Sequence, residues 1–382
     1  MQKLGLKSGA LAWVLVACSG GNTRPSTPDE PASMCEAELT SEAFRETLAD
    51  LERMGRIETW PDYRLGDHDI IFEWLGEDSH CFAHWSQGEV VAVADQAEPM
   101  HLMLGIFGFV ITDYADKSAE QRMGGFLVGD VPPSIIASLR AQNAKAALAW
   151  VMNPEHILAE HPLGAAMAED PRLWRAFLIA HESVHVNLQF ARMFGGDTRH
   201  DYPSWSVQPD RAALIATCFE GESARALHDQ EMTENADAVR EIFAGREDEA
   251  REHARRFAEL RRERYAALGD ARVPGQADVQ HTCEQAEAIW ELDEGVADYV
   301  AARELIEGGI AEPTWFIDRI RERNSQDASF YYSGSGQLVF LWKLDPELLE
   351  QTLGAILRSE RPEDGIFGQF EQLLGGPTEA VE

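Results

Sequence analysis

Five consecutive residues, His181-Glu182-Ser183-Val184-His185, carry the clearest chemistry in the sequence. On an α-helix, residues four apart lie on one face, so His181 and His185 can each present a ring nitrogen to one metal ion. Glu182 then sits beside the first ligand. Its carboxylate reaches a metal-coordinated water without itself binding the metal, which is what water activation requires. The ion that such a donor set suits is Zn2+, with Glu182 as candidate general base. Two unrelated histidines on a surface helix give the same pattern by chance. The position of these two, in the middle of a helical stretch with apolar neighbours, favours a site.

A hydrolytic zinc site takes a third protein ligand and leaves the fourth position to water. The segment Trp290-Glu291-Leu292-Asp293-Glu294-Gly295-Val296-Ala297-Asp298-Tyr299 offers one. Together with His181-Glu182-x-x-His185, its Glu294-x-x-x-Asp298 spacing resembles the gluzincin class of zinc metallopeptidases. The resemblance implies that Glu294 is the third ligand and that Asp298 hydrogen-bonds a ligand histidine. Such a carboxylate fixes the imidazole tautomer and raises its basicity. Gly295 would allow the two helices to approach closely. Glu220, Glu222 and Glu291 are rivals for the third position, and Glu220 has no aspartate one turn on, residue 224 being Ala. Peptidases of this kind need a donor for the oxyanion, often Tyr or His. Tyr331 and Tyr332 are the first candidates, with His200, Tyr202 and His281 behind them. Aromatic packing against a turn is the competing reading of Phe330-Tyr331-Tyr332-Ser333-Gly334-Ser335-Gly336.

The first residues set the compartment. Lys3 and Lys7 form a positive n-region, and Leu11 to Val16 form an apolar run too short to span a bilayer. The run ends Leu15-Val16-Ala17-Cys18, which resembles a bacterial lipobox. That resemblance implies cleavage before Cys18, diacylglycerol on its sulfur, and a tethered protein in the bacterial cell envelope. Ser19 in place of an aspartate resembles enterobacterial sorting signals, and that resemblance implies the outer membrane. A plain secretory signal with an incidental cysteine is the alternative. Without Cys18, four cysteines remain: Cys35, Cys81, Cys218 and Cys283. An even number outside the cytoplasm points to two disulfides, with Cys35–Cys81 and Cys218–Cys283 the preferred pairing of the three possible. None has CxxC spacing, which disfavours a cysteine zinc site.

The charge balance excludes one class of partner. Against 66 acidic residues stand 33 basic ones, a net charge of −33, and such a surface repels phosphate backbones. Nucleic acid is therefore not the expected partner. The acidity suits a cationic substrate or, more simply, solubility.

These residues need elements to position them. The predicted organisation is a signal peptide over 1–17, a Gly/Pro/Ser/Thr tether over 18–34, an N-terminal α+β region over 35–155, and a helical metallopeptidase-like region over 156–382. A helix opens near Thr40 and runs to Met54 with Phe44, Leu48 and Leu51 on one face. Strand candidates are Asp69–Trp74, Cys81–Trp85 and Glu89–Ala94, in an antiparallel meander, and Ala146–Met152. Residues 100–114 are apolar throughout and fit helix or buried strand alike. Asp170-Pro171 starts a helix with aspartate as cap and proline at the first position, and Gly195-Gly196 stops it after Phe194. The charged stretch from Glu234 to Leu268 reads as a solvated helix face. A further helix covers about Cys283–Glu307, and the tail after Tyr331 is helical. The fold class is thus α+β, predominantly helical, with a small N-terminal mixed portion.

The leading function is a zinc-dependent hydrolase, most simply a peptidase acting on a peptide or protein. A non-catalytic zinc-binding or structural envelope lipoprotein is the alternative, and Glu182 separates the two, since a structural site has no use for it. A transporter's substrate-binding lipoprotein would alternate strands and helices through its length, which the second half of this chain does not.

Overall fold

The computed structural model describes residues 34–60, 63–76, 79–96, 107–111, 131–144, 146–154, 167–189, 209–275, 279–322, 329–358 and 365–374. The predicted signal segment, Cys18, the tether up to residue 33, Gly195-Gly196, His200 and Tyr202 lie outside them. The chain divides into two compact units: Met1–Glu58 with Asp62–Asp197, and Thr59–Pro61 with Thr198–Glu382. The described residues are predominantly helical with a small mixed sheet, as the sequence predicts.

In the first unit, α1 (Met34–Leu39) and α2 (Glu42–Met54) precede a sheet of β1 (Ile70–Leu75), β2 (His80–Ser86), β3 (Glu89–Gln96), β4 (Phe107–Ile111) and β5 (Ala146–Val151). Their spatial order is β3-β2-β1-β5-β4. The predicted meander is β1–β2–β3, antiparallel, with Phe72 opposite Ala83 and Phe82 opposite Ala94. The Ala146–Met152 candidate becomes β5, parallel to β1, and residues 107–111 of the ambiguous apolar run form the antiparallel edge strand beside it.

Strand β1 is buried on both sides because each face meets a helix. Phe44 of α2 lies edge-on to Phe72 and Trp74, at 5.2 and 5.0 Å between ring centres. Successive strand residues point to opposite faces, so Ile71 and, across the register, Phe82 meet Ile135 and Leu139 of α3 (Pro133–Ala141). On that face the buried His84 ring joins Ser138 Oγ at 2.9 Å and Asp69 Oδ1 at 2.7 Å, tying sheet to helix. The disulfide Cys35–Cys81 fixes α1 to β2, with 5.1 Å between Cα atoms.

Helix α4 (Pro171–Val184) closes this unit. Asp170 accepts from the Leu173 amide at 3.1 Å, and proline takes the first position, as the sequence indicates. Leu173, Trp174, Phe177 and Ile179 are buried. The helix start is clamped to α2: Asp50, 1% exposed, accepts from Arg172 Nε at 2.8 Å and Nη2 at 2.7 Å. After Val184 the α-helix gives way to a π-helical turn, His185–Gln189.

The second unit contains α5 (Arg211–Cys218), α6 (Glu222–Phe243), α7 (Glu247–Leu268), a short ribbon of β6 (Arg272–Pro274) and β7 (Gln280–Thr282), and α8 (Cys283–Trp290). A π-helical turn, Glu291–Gly295, then leads into α9 (Val296–Glu307), followed by α10 (Pro313–Glu322), α11 (Ser329–Leu344), α12 (Pro346–Arg358) and α13 (Ile366–Leu373). Thr282 and Gln285 cap α8 reciprocally, a capping box. Cys218–Cys283 joins the end of α5 to the start of α8, 5.8 Å between Cα atoms. Both preferred disulfides are thus present.

Two sequence readings change here. The charged stretch is two antiparallel helices, with Gly245 at φ 73° in the turn between them. Its solvated face is real, with pairs such as Arg251–Glu247, but Ala250, Ala254, Phe257, Arg261 and Arg264 form a buried stripe. Phe330–Gly336 is part of α11, which fits the helical tail expected after Tyr331 and replaces the competing picture of a turn. Among the described residues no helix is long and apolar enough to cross a membrane.

Candidate metal centre

His181 and His185 stand one turn apart on α4 and its π-helical extension, 5% and 8% exposed. Their Nε2 atoms face each other at 3.0 Å, with the rings steeply inclined at 73°. Two nitrogens held tetrahedrally about 2.05 Å from one ion would stand about 3.3 Å apart. The observed pair is within a few tenths of an ångström of that separation. Imidazole nitrogen suits zinc and its transition-metal neighbours better than magnesium or calcium. The pair therefore fits a metal ion.

The backbone and packing that hold this pair are local. Phe177, one turn before His181, lies tilted 5.8 Å from its ring, and Trp174 lies edge-on 6.0 Å from Phe177, a row of rings along one face of α4. Asn187 Nδ2 donates to the Ser183 carbonyl at 2.9 Å across the π-helical turn. Glu182, also buried at 9% exposure, is the residue next to His181. The π-turn begins at His185 itself, and such turns are frequent at functional sites.

In the second unit, Glu294 lies half-buried in the other π-helical turn, Glu291–Gly295. Asp298, one turn on in α9, is buried, its Oδ2 3.9 Å from the Arg319 guanidinium of α10. Arg319 Nη2 also donates to the Tyr332 hydroxyl at 3.2 Å, and Tyr332 is 2% exposed. Tyr331 stacks on Phe330 at 5.1 Å, with the Arg211 guanidinium 5.6 Å from its ring. His281 is buried on β7, and burial pushes its imidazole pKa down. Of the rivals for third ligand, Glu220 and Glu222 are exposed. Glu291 is buried, and its Oε1 is engaged by Arg261 at 2.5 Å, Gln337 at 3.2 Å and the Ser333 hydroxyl. The close approach at Gly295 is to α11: a Cβ there would come within 2.8 Å of the Gly334 Cα.

Sequence reasoning missed a buried ionic cluster beneath that turn. Arg264 pairs with Glu231 and Glu287, and Arg261 pairs with Glu287 and Glu291. Burial opposes ionisation of Glu287, yet Arg264 and Arg261 outweigh it and hold its carboxyl down to about 2. Glu291 goes the other way, pushed up by burial against the pull of Arg261. The available signal was spacing: residues 250, 254, 257, 261 and 264 repeat at four and three, the buried seam of a packed helix. Elsewhere, Cys35 and Cys81 lie beside Asp95, but their sulfurs are joined and offer no thiolate ligand. Compared with protein-family models, curated proteins and solved structures, the chain shows no match.

Proposed function

We propose that this protein is a zinc-dependent hydrolase acting on peptide or protein substrates, with Glu182 as general base. The observation that carries the reading is the buried pair of imidazole nitrogens on α4, 3.0 Å apart. His181 and His185 would hold the ion with Glu294 as third ligand, a mixed nitrogen and carboxylate set that zinc favours. When bound, zinc supplies Lewis-acid chemistry, acidifying water and polarising a carbonyl. Glu182 accepts the proton of the attacking water and passes it to the leaving amine. Asp298 supports the centre by hydrogen-bonding a ligand imidazole, and Tyr331 or Tyr332 supplies the oxyanion donor. Support for Glu294 comes from its spacing to Asp298 and from the π-helical turn that bears it; Glu291 is already committed to Arg261.

The setting we propose is the bacterial cell envelope, tethered through lipid on Cys18, most simply at the outer membrane. Two disulfides belong to an oxidising compartment and agree with export.

Metal content and hydrolysis test the reading together. The purified protein should hold one zinc per chain, hydrolyse an unfolded protein substrate, lose that activity to a chelator and regain it with zinc. His185→Ala should lose both metal and activity, and Glu294→Ala should weaken binding far more than Glu220→Ala. A wild-type chain that neither contains nor takes up zinc sinks the proposal.

A further inference from the structure

We infer that Arg261, Ser333 and Gln337, gathered on Glu291, are positioning residues that hold the Glu291–Gly295 turn in the geometry from which Glu294 reaches a metal. The inference rests on the reading of Glu294 as a ligand. It assigns a task to a cluster that the proposed chemistry leaves unused.

A π-helical turn is a rare interruption of an α-helix that is frequent at functional sites, so the contacts made at its two ends bear on what it does. Here both ends of the turn are fixed, and by the same neighbour. At its start, the Glu291 carboxylate takes Arg261 Nη2 at 2.5 Å, Gln337 Nε2 at 3.2 Å and the Ser333 hydroxyl. At its end, Gly295 meets Gly334 closely: a Cβ on Gly295 would lie 2.8 Å from the Gly334 Cα, and one on Gly334 would lie a tight 3.1 Å from both the Glu291 Cβ and the Gly295 Cα. Ser333, Gly334 and Gln337 are one stretch of α11, so a single helix face grips the turn at both ends.

Arg261 is in turn immobilised. Its guanidinium lies 4.7 Å from the Phe367 ring centre and 5.2 Å from that of Phe257, and it donates to Glu287 at 3.1 Å. Residues Arg261, Glu291, Ser333 and Gln337 are each 2% exposed or less. Replacing a buried ionic cluster with apolar side chains is often neutral or stabilising, so its use here is better explained by geometry than by stability. What it fixes is the turn carrying Glu294, three residues beyond Glu291.

The test reads metal geometry separately from stability. Ser333→Ala, Gln337→Leu and Glu291→Gln are compared with Leu349→Ala, a core truncation in α12 chosen to lower stability by a similar amount. Zinc affinity is measured by chelator competition, the cobalt-substituted proteins supply the visible absorption spectrum, and metal-free unfolding supplies stability. The expected result is a loss of zinc affinity of roughly 10–100-fold in the three cluster variants, the usual effect of disturbing residues behind metal ligands. Their cobalt bands should shift, while Leu349→Ala keeps wild-type affinity and spectrum. Cluster variants that track Leu349→Ala overturn the positioning role and leave the metal site standing. A wild type that binds neither metal, or binds zinc as tightly after Glu294→Ala, overturns the ligand reading and this inference with it.

Discussion

His228 should control the acid stability of the second unit. It sits on α6 at 3% exposure, with its ring edge-on to Phe219 at 4.9 Å between centres. Burial first, and then the positive charges of Arg264 and Arg261 against the partial help of Glu287, hold its imidazole down at about 3. The ordinary unfolded value is about 6.5. The folded ring is therefore neutral where the unfolded ring takes a proton. Stability from this difference is complete above pH 6.5 and is lost as pH falls through the window down to about 3. At pH 5 the loss comes to about 2 kcal/mol, from one and a half pH units at about 1.4 kcal/mol each. The Glu287 carboxyl, at about 2 when folded, contributes little at pH 5, because it is ionised in both states there. The assay is urea unfolding followed by circular dichroism at pH 7.5 and pH 5, disulfides intact and chelator present, for wild type, His228→Gln and His228→Leu. Both variants should lose about 2 kcal/mol less than wild type between the two pH values, whatever their absolute stability. A difference near zero refutes the claim that a neutral imidazole is locked beside the arginine pair.

Two further predictions follow from the packing. Gly336→Ala would place a Cβ 2.3 Å from Asn235 Nδ2, whose amide donates to the Tyr332 carbonyl, and should destabilise by about 1–3 kcal/mol in thermal unfolding. Asp50→Ala removes the bidentate acceptor of Arg172 at the start of α4 and should cost about 1–3 kcal/mol while leaving zinc stoichiometry unchanged.

Much of the fold was legible because its signals are local. Asp170-Pro171 and Ser41 act as helix caps through their own side chains and ring, and both start helices as expected. Alternating or wholly apolar strands bounded by turn residues announced β1, β2, β3 and β5. What stayed hidden depends on partners distant in sequence. An arginine in a buried stripe has the same letter as one in water, so Arg261 and Arg264 could be assigned only once Glu231, Glu287 and Glu291 were seen around them. Gly334-Ser335-Gly336 has the composition of a turn, yet it lies within α11, where a Cβ on Gly336 would come within 2.3 Å of Asn235 and one on Gly334 within a tight 3.1 Å of Glu291 and Gly295. The π-helical turns at His185 and Glu291 have no residue code at all. At the candidate site the spacing was enough to bring His181 and His185 to one face, since helix geometry alone dictates it.

The central claim is that Glu182 is a base and not a ligand, beside an ion held by His181 and His185. The most direct measurement is zinc content and hydrolytic rate in Glu182→Gln, a change that keeps the size of the side chain but cannot accept the proton. The account predicts one zinc per chain, as in wild type, and a rate lower by roughly 10²–10⁴-fold. A variant that hydrolyses at the wild-type rate, or that loses the metal along with the activity, contradicts it.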